Sequence, residues 1–163
     1  MFPAALIAEA DGLLGAMRAK GLSLVVAESC TGGLITALLT EIPGSSDVVD
    51  RGFVTYTNAA KIELLGVPAA VIERHGAVSA AVAVAMAEGA LRHSHATVSV
   101  AVTGIAGPGG GTPQKPVGLV YIAAQLQGSA ATAQRFQFHD ETRQGVRVAA
   151  VAEALALVRQ LLA

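Results

Sequence analysis

The chain has 163 residues, 53% hydrophobic and 14% charged, with 11 Lys plus Arg against 12 Asp plus Glu and a formal net charge of -1. A chain of this length suits one domain, here residues 1–163, and its apolar content excludes disorder. With no basic excess there are no counterions to release from a nucleic acid and no polybasic run for a membrane surface, so neither is an expected partner.

Residues 4–19 place Leu6, Ala10, Leu13, Leu14 and Met17 on one stripe, predicting a helix that Gly21 stops. Ser23 to Ala27 is a short continuous apolar run, the pattern of a strand buried on both faces. It runs into Glu28-Ser29-Cys30-Thr31-Gly32-Gly33 and then a buried helix from Leu34 to Leu39, ended by Pro43 and Gly44. Phe53 to Tyr56 reads as a second strand. A short helix follows around Ala59 to Leu65, with Asn58 as its cap and Gly66 as its stop. Pro68 opens another helical turn to Arg74, and Ser79 caps a long Ala-rich helix to about Leu91. Thr97 to Thr103 alternates and is β-branched, which predicts a third strand. After a loop rich in Gly and Pro (104–116), Val117 to Gln125 and Thr132 to Phe138 flank Gly128-Ser129 as an antiparallel hairpin. A last helix is expected from about Glu141 to Leu162. Strands and helices in this order predict a three-layer α/β/α sandwich around a mixed sheet of about five strands.

Cys30 is the only cysteine, so an internal disulfide and a Cys-rich metal site are both excluded. That fits a reducing cytosol, and no N-terminal basic region marks a signal peptide, so a cytoplasmic protein is expected. The uncharged stretches 94–114 and 116–134 approach membrane-span length but are broken by Gly, Pro or Gln. The low charged fraction leaves apolar surface to cover and predicts a homo-oligomer. His93-Ser94-His95 has no nearby carboxylate in sequence and would share a face only if extended, so no metal site is expected.

Three segments carry chemistry. At the Ser29 turn, a buried strand delivers a hydroxyl to a helix start, where the N–H groups of Cys30, Thr31 and Gly32 could bind an oxyanion. Gly32 and Gly33 would let a substrate approach the backbone. Simple helix capping by Ser29 or Thr31 is the alternative, and Cys30 is a rival nucleophile for which packing is the favoured reading. In the second segment, Tyr56 and Lys61 fall near the same sheet edge. A desolvated Lys can act as general base, and a Tyr can pass a proton or hold the Lys; an exposed Lys beside an edge tyrosine is the bland alternative. In the third, Thr103, Gly104 and Gly107 begin a loop able to cradle phosphate, though it matches neither the Walker nor the dinucleotide pattern. Arg143 opposes the dipole of the last helix, which hints at an anionic ligand. Lys115 is a further cation beside that loop.

Taken together, Glu28-Ser29-Cys30-Thr31-Gly32-Gly33, Tyr56-x-Asn58-x-x-Lys61-x-x-Leu64-Leu65-Gly66-Val67, and Thr103-Gly104-Ile105-Ala106-Gly107-Pro108 with Lys115-Pro116-Val117-Gly118 closely resemble the CinA C-terminal domain family. Its enzymatic members are nicotinamide-nucleotide amidases. Many relatives carry an N-terminal nucleotide-processing domain, and this chain looks like the stand-alone form. The resemblance implies hydrolysis of the carboxamide of nicotinamide mononucleotide to nicotinate mononucleotide and ammonia, with a small-molecule nucleotide as partner and no cofactor. By position, Ser29 matches the nucleophile, Lys61 and Tyr56 the activating pair, and Thr103 and Arg143 further active-site residues. Cys30, Thr31, Gly32, Gly33, Asn58, Gly104 and Gly107 are expected to contact substrate. The competing expectation is a non-catalytic nucleotide-binding domain with a regulatory or competence- or DNA-repair-associated role.

Overall fold

A computed structural model describes residues 2–139 and 142–163. In chain order the elements are α1 (Ala4–Ala19), β1 (Leu24–Glu28), α2 (Leu34–Thr40), β2 (Val49–Val54), α3 (Asn58–Leu65), α4 (Ala69–His75), α5 (Ala80–Arg92), β3 (Val98–Gly104), β4 (Leu119–Leu126), β5 (Thr132–Gln137) and α6 (Arg143–Leu161). The five strands form one sheet in the order β2-β1-β3-β4-β5. β1 runs parallel to both β2 and β3, whereas β4 is antiparallel to β3 and β5, so the sheet is mixed.

Side chains alternate across a strand, and the two faces therefore collect different residues. Leu24 and Val26 of β1, Val100 and Val102 of β3, and Val120 and Ile122 of β4 face a core built with α1, α2 and α6. Val25, Ala27, Ala101 and Ala123 face the other way, against α3, α4 and α5. On that second face the strand residues are small, matched by the Ala-rich α5, so helix and sheet approach closely. The result is the three-layer sandwich with five strands that the residue pattern predicts. β1 is buried at every position, as its unbroken apolar run requires.

Two element boundaries differ from expectation. β2 starts at Val49 and stops at Val54, rather than spanning Phe53 to Tyr56. Asp50, Arg51 and Gly52 hide it from a propensity reading, but β2 is an edge strand whose outward side chains meet solvent. Gly52 is there for space: a Cβ would collide with the Thr36 side chain on α2. Asn58 is the first residue of α3, and its cap is Thr57, whose hydroxyl accepts from the Ala60 N–H at 3.1 Å. The expected start of the last helix at Glu141 lies outside the described residues; α6 is capped by Thr142, which accepts from the Gly145 N–H. Among the described residues, no helix is long and apolar enough to cross a membrane.

Candidate active site

The carboxyl ends of β1, β2 and β3 lie side by side, and the chain leaves β1 and β2 toward opposite faces of the sheet. This is where an open α/β sheet forms its ligand crevice. A cavity of about 290 Å³ opens there, walled by Ser29, Cys30, Tyr56, Asn58, Lys61 and Thr103, with Gly104, Gly107 and Arg143 completing it.

Ser29 is the residue immediately after β1, and its backbone N–H continues the sheet by donating to the Val102 carbonyl at 3.0 Å. Lys61 comes from α3, where it shares a face with Leu65 one turn later, so the helix that buries Leu65 also buries the lysine. The Lys61 side chain is 1% exposed. Its Nζ lies 3.0 Å from Ser29 Oγ and donates to the Thr55 carbonyl at 2.8 Å. Among the described residues no carboxylate accepts from it. Burial pulls the Lys61 amine below its ordinary pKa, with a smaller opposing influence from Cys30. A buried amine of lowered pKa against a hydroxyl is an arrangement that can serve as a base–nucleophile pair.

Cys30 behaves differently. Burial pushes its thiol up to about 11, against smaller downward influences from its own backbone N–H, Lys61 and Arg147. A thiol that stays protonated at neutral pH is a poor nucleophile, so Cys30 is a packing residue in the pocket wall. Gly104 accommodates it, since a Cβ there would come within 3.1 Å of Cys30 Sγ and closer still to Val120.

The structure corrects the expected use of the Ser29 turn. Glu28, fully buried at the end of β1, turns its carboxylate back onto α2. It accepts from the N–H groups of Gly33, Ile35 and Thr36 at 3.0, 3.1 and 2.9 Å, and from the Thr36 hydroxyl at 2.8 Å. The positive end of that helix is thus occupied by a protein carboxylate. The Gly32 N–H donates to the Ser29 carbonyl at 3.0 Å. Gly32 and Gly33 lie outside the cavity wall; their φ values of +60° and +97° make them glycines for backbone geometry rather than for substrate approach. Thr31 is also outside the wall, fully buried, with its hydroxyl unpartnered among the described residues. The N–H groups of Cys30 and Thr31 donate to no oxygen among the described residues.

Tyr56 and Arg143 also pair differently from expectation. Tyr56, 57% exposed, does not hold Lys61; its phenol oxygen accepts from Arg143 Nη2 at 2.8 Å. Arg143 Nη1 donates to the Gly107 carbonyl at 2.6 Å, so its place at the start of α6 is explained by two neutral acceptors. Thr103 donates its hydroxyl proton to the Ala77 carbonyl at 2.8 Å, tying β3 to the segment before α5. Lys115 reaches the carboxyl end of α4, donating to the His75 carbonyl at 2.5 Å, and so anchors the Gly-rich loop rather than entering the cavity. Two residues escaped the sequence reading, Glu28 as the cap of α2 and Arg147, whose guanidinium holds the Ser29 turn from α6. Glu28 stands only 5 to 8 residues from the groups it caps, whereas Arg147 is 117 residues from its Cys30 partner. Among the described residues no group of three His, Cys, Asp or Glu could hold a metal.

A family model for the CinA C-terminal domain matches residues 8–162. A CinA-like protein of Chlorobium luteolum is 54% identical over 73% of this chain, and one of Syntrophus aciditrophicus is 51% identical over 88% of it. The chain spans only 28% and 34% of the length of those two relatives. Among solved structures, the competence/damage inducible protein CihA from Agrobacterium tumefaciens superposes with a TM-score of 0.96 at 47% identity, covering 99% of this chain and 98% of that one. A competence-damaged protein (CinA) superfamily protein from Escherichia coli gives a TM-score of 0.91 at 34% identity, covering 99% and 94%. Sequence and fold agree along nearly the whole chain, and it belongs to the CinA C-terminal domain family.

Proposed function

We propose that this pocket hydrolyses the carboxamide of nicotinamide mononucleotide through a covalent Ser29 ester. The observation that carries the proposal is the buried contact of 3.0 Å between Lys61 Nζ and Ser29 Oγ, with the amine's pKa lowered by burial and no carboxylate among the described residues to hold it charged. Neutral Lys61 takes the hydroxyl proton as the Ser29 oxygen adds to the amide carbon. The oxyanion is met by the N–H of Cys30, the turn residue that follows Ser29 in the cavity wall. As the tetrahedral adduct collapses, the C–N bond breaks and Lys61 returns its proton to the departing nitrogen, which leaves as ammonia. The Tyr56 phenol, accepting from Arg143, keeps its own proton as a donor toward that nitrogen. Water then adds to the ester and gives a proton to Lys61. The ester C–O bond breaks, Ser29 recovers its proton, and nicotinate mononucleotide is released. Arg143 and the loop from Gly104 to Gly107 supply donors for the ribose phosphate.

Ammonia release measured in parallel on nicotinamide mononucleotide, nicotinamide riboside and free nicotinamide tests the assignment. Turnover of the mononucleotide, with much weaker turnover of the other two, is expected. Binding of the mononucleotide without ammonia release would replace the amidase with a nucleotide-binding role.

A homo-oligomer and a cytoplasmic setting belong to the same proposal. Val54, Ile62 and Leu64 on the β2–α3 side remain exposed, in a chain with few charges to solvate it. Light scattering at micromolar concentration is expected to return a multiple of the 16.4 kDa chain; a monomer would contradict it.

A further inference from the structure

Ser29 and Thr103 are neighbours across the sheet. The ladder between β1 and β3 ends with Glu28 opposite Val102, and the Ser29 N–H closes it by donating to the Val102 carbonyl at 3.0 Å. One residue further on, Ser29 and Thr103 stand side by side, on strands spaced about 4.8 Å apart. Both side chains project to the face of α3 and α5. Ser29 Oγ meets Lys61 of α3, and Thr103 Oγ1 meets the Ala77 carbonyl just before α5. Ala27 and Ala101, two residues earlier, lie on the same face, as strand alternation requires. Ser29, Lys61, Ala77 and Thr103 all line the one cavity. Among the described residues no hydrogen bond joins the two hydroxyls.

The two hydroxyls differ in what they offer a ligand. A threonine hydroxyl has one proton and two acceptor lone pairs. The Thr103 proton is donated to the Ala77 carbonyl at 2.8 Å, and that carbonyl accepts from no other group among the described residues. Turning the proton into the cavity would strip a half-buried carbonyl of its partner, and that cost holds it in place. Thr103 is only 1% exposed, so water competes little for its oxygen. Toward a ligand seated at Ser29 it is therefore an acceptor. Two other carbonyls at the site are already engaged, Thr55 by Lys61 and Gly107 by Arg143.

A carboxamide and the acid made from it differ at one group. The amide NH2 donates two protons, whereas a carboxylate donates none and sets its own lone pairs and charge against those of Thr103. Lys61, with its pKa lowered by burial, compensates that charge less than an ordinary lysine would. We infer that Thr103 is a specificity-determining residue whose hydroxyl oxygen, its proton committed to the Ala77 carbonyl, accepts from the substrate's carboxamide NH2 and disfavours the carboxylate that hydrolysis leaves. The inference rests on the amide hydrolysis proposed above and adds how the site tells substrate from product.

The test is calorimetric binding of nicotinamide mononucleotide and of nicotinate mononucleotide to the full chain carrying Ser29→Ala, which removes turnover, alone and combined with Thr103→Val or Thr103→Ser. The two ligands share ribose and phosphate, so the ratio of their dissociation constants isolates the group that differs. Thr103→Val keeps the shape and removes the oxygen. It is expected to weaken the amide about tenfold, the scale of one hydrogen bond, and to leave the acid unchanged or tighter. Thr103→Ser keeps the oxygen and should hold the ratio near that of the parent. If Thr103→Val fails to fold, Thr103→Ala removes the same oxygen and is read against Thr103→Ser. Equal weakening of both ligands, the mark of a merely structural tie to Ala77, or an unmoved amide constant would overturn the inference alone. A shifted ratio in a protein whose Ser29 form releases no ammonia would support it while removing the proposed hydrolysis. Failure of the Ser29→Ala parent to bind the amide at millimolar concentration would overturn both.

Discussion

The Tyr56 phenol accepts a hydrogen bond of 2.8 Å from Arg143, a residue 87 positions away on α6, and makes none to Lys61. The resemblance to CinA C-terminal domains pairs Tyr56 with Lys61 as an activating couple, whereas the geometry gives the tyrosine to the arginine and the serine to the lysine. The two aspects of the site, Ser29 with Lys61 and Tyr56 with Arg143, should therefore respond separately to mutation. Tyr56→Phe is expected to lower kcat by about 10²-fold, the usual scale for losing a positioned proton donor. Because Tyr56 and Arg143 act through one contact, adding Arg143→Ala should cost less than the product of the two single effects. A double-mutant cycle on ammonia release measures this, and full additivity would separate the pair.

Lys61 sets the acid limb of activity. It must be neutral to accept the Ser29 proton, and burial places its folded pKa below that of an ordinary lysine. Activity should rise with pH and level off, with a midpoint below the usual value of about 10.4. Stability follows the same sign. Between the lowered folded pKa and the unfolded one, the unfolded chain binds more protons at this site, so stability increases as pH rises through that window. Lys61→Met should remove this rise and reduce kcat by about 10³-fold. Urea unfolding across pH checks the first, and steady-state kinetics the second.

Glu28 carries a structural burden that its neighbour Ser29 depends on. Its buried carboxylate satisfies three backbone N–H groups and one hydroxyl at the start of α2. Glu28→Gln keeps the shape but places an amide NH2 among donors and removes the charge facing the helix dipole. The expected loss is about 2–3 kcal/mol, in the range for hydrogen bonds to a charged group. Denaturant unfolding reads it; a change below about 0.5 kcal/mol would show that water replaces the cap.

Periodicity and turn chemistry carried much of this fold. β1 is legible because a strand buried on both faces needs an unbroken apolar run, β3 because its β-branched residues alternate, and α1 because its apolar residues recur every three or four positions. β2 is poorly legible, since an edge strand tolerates Asp50, Arg51 and Gly52 facing solvent. Ser29 and Lys61 were legible as residue types at strand and helix ends, but their 3.0 Å contact depends on α3 folding back across the end of β1. The roles of Glu28 and Arg147 lie in backbone hydrogen bonds. Such bonds leave no trace in residue spacing, because any carbonyl or N–H can serve.

The central claim is that the Ser29 oxygen is the atom that attacks the amide. Ammonia release from nicotinamide mononucleotide by Ser29→Ala, measured beside its melting temperature, tests this most directly. Loss of at least about 10³-fold in kcat with unchanged melting is the predicted result, on the scale seen when a nucleophile is removed. A folded Ser29→Ala protein that still releases ammonia at near the parent rate would contradict it.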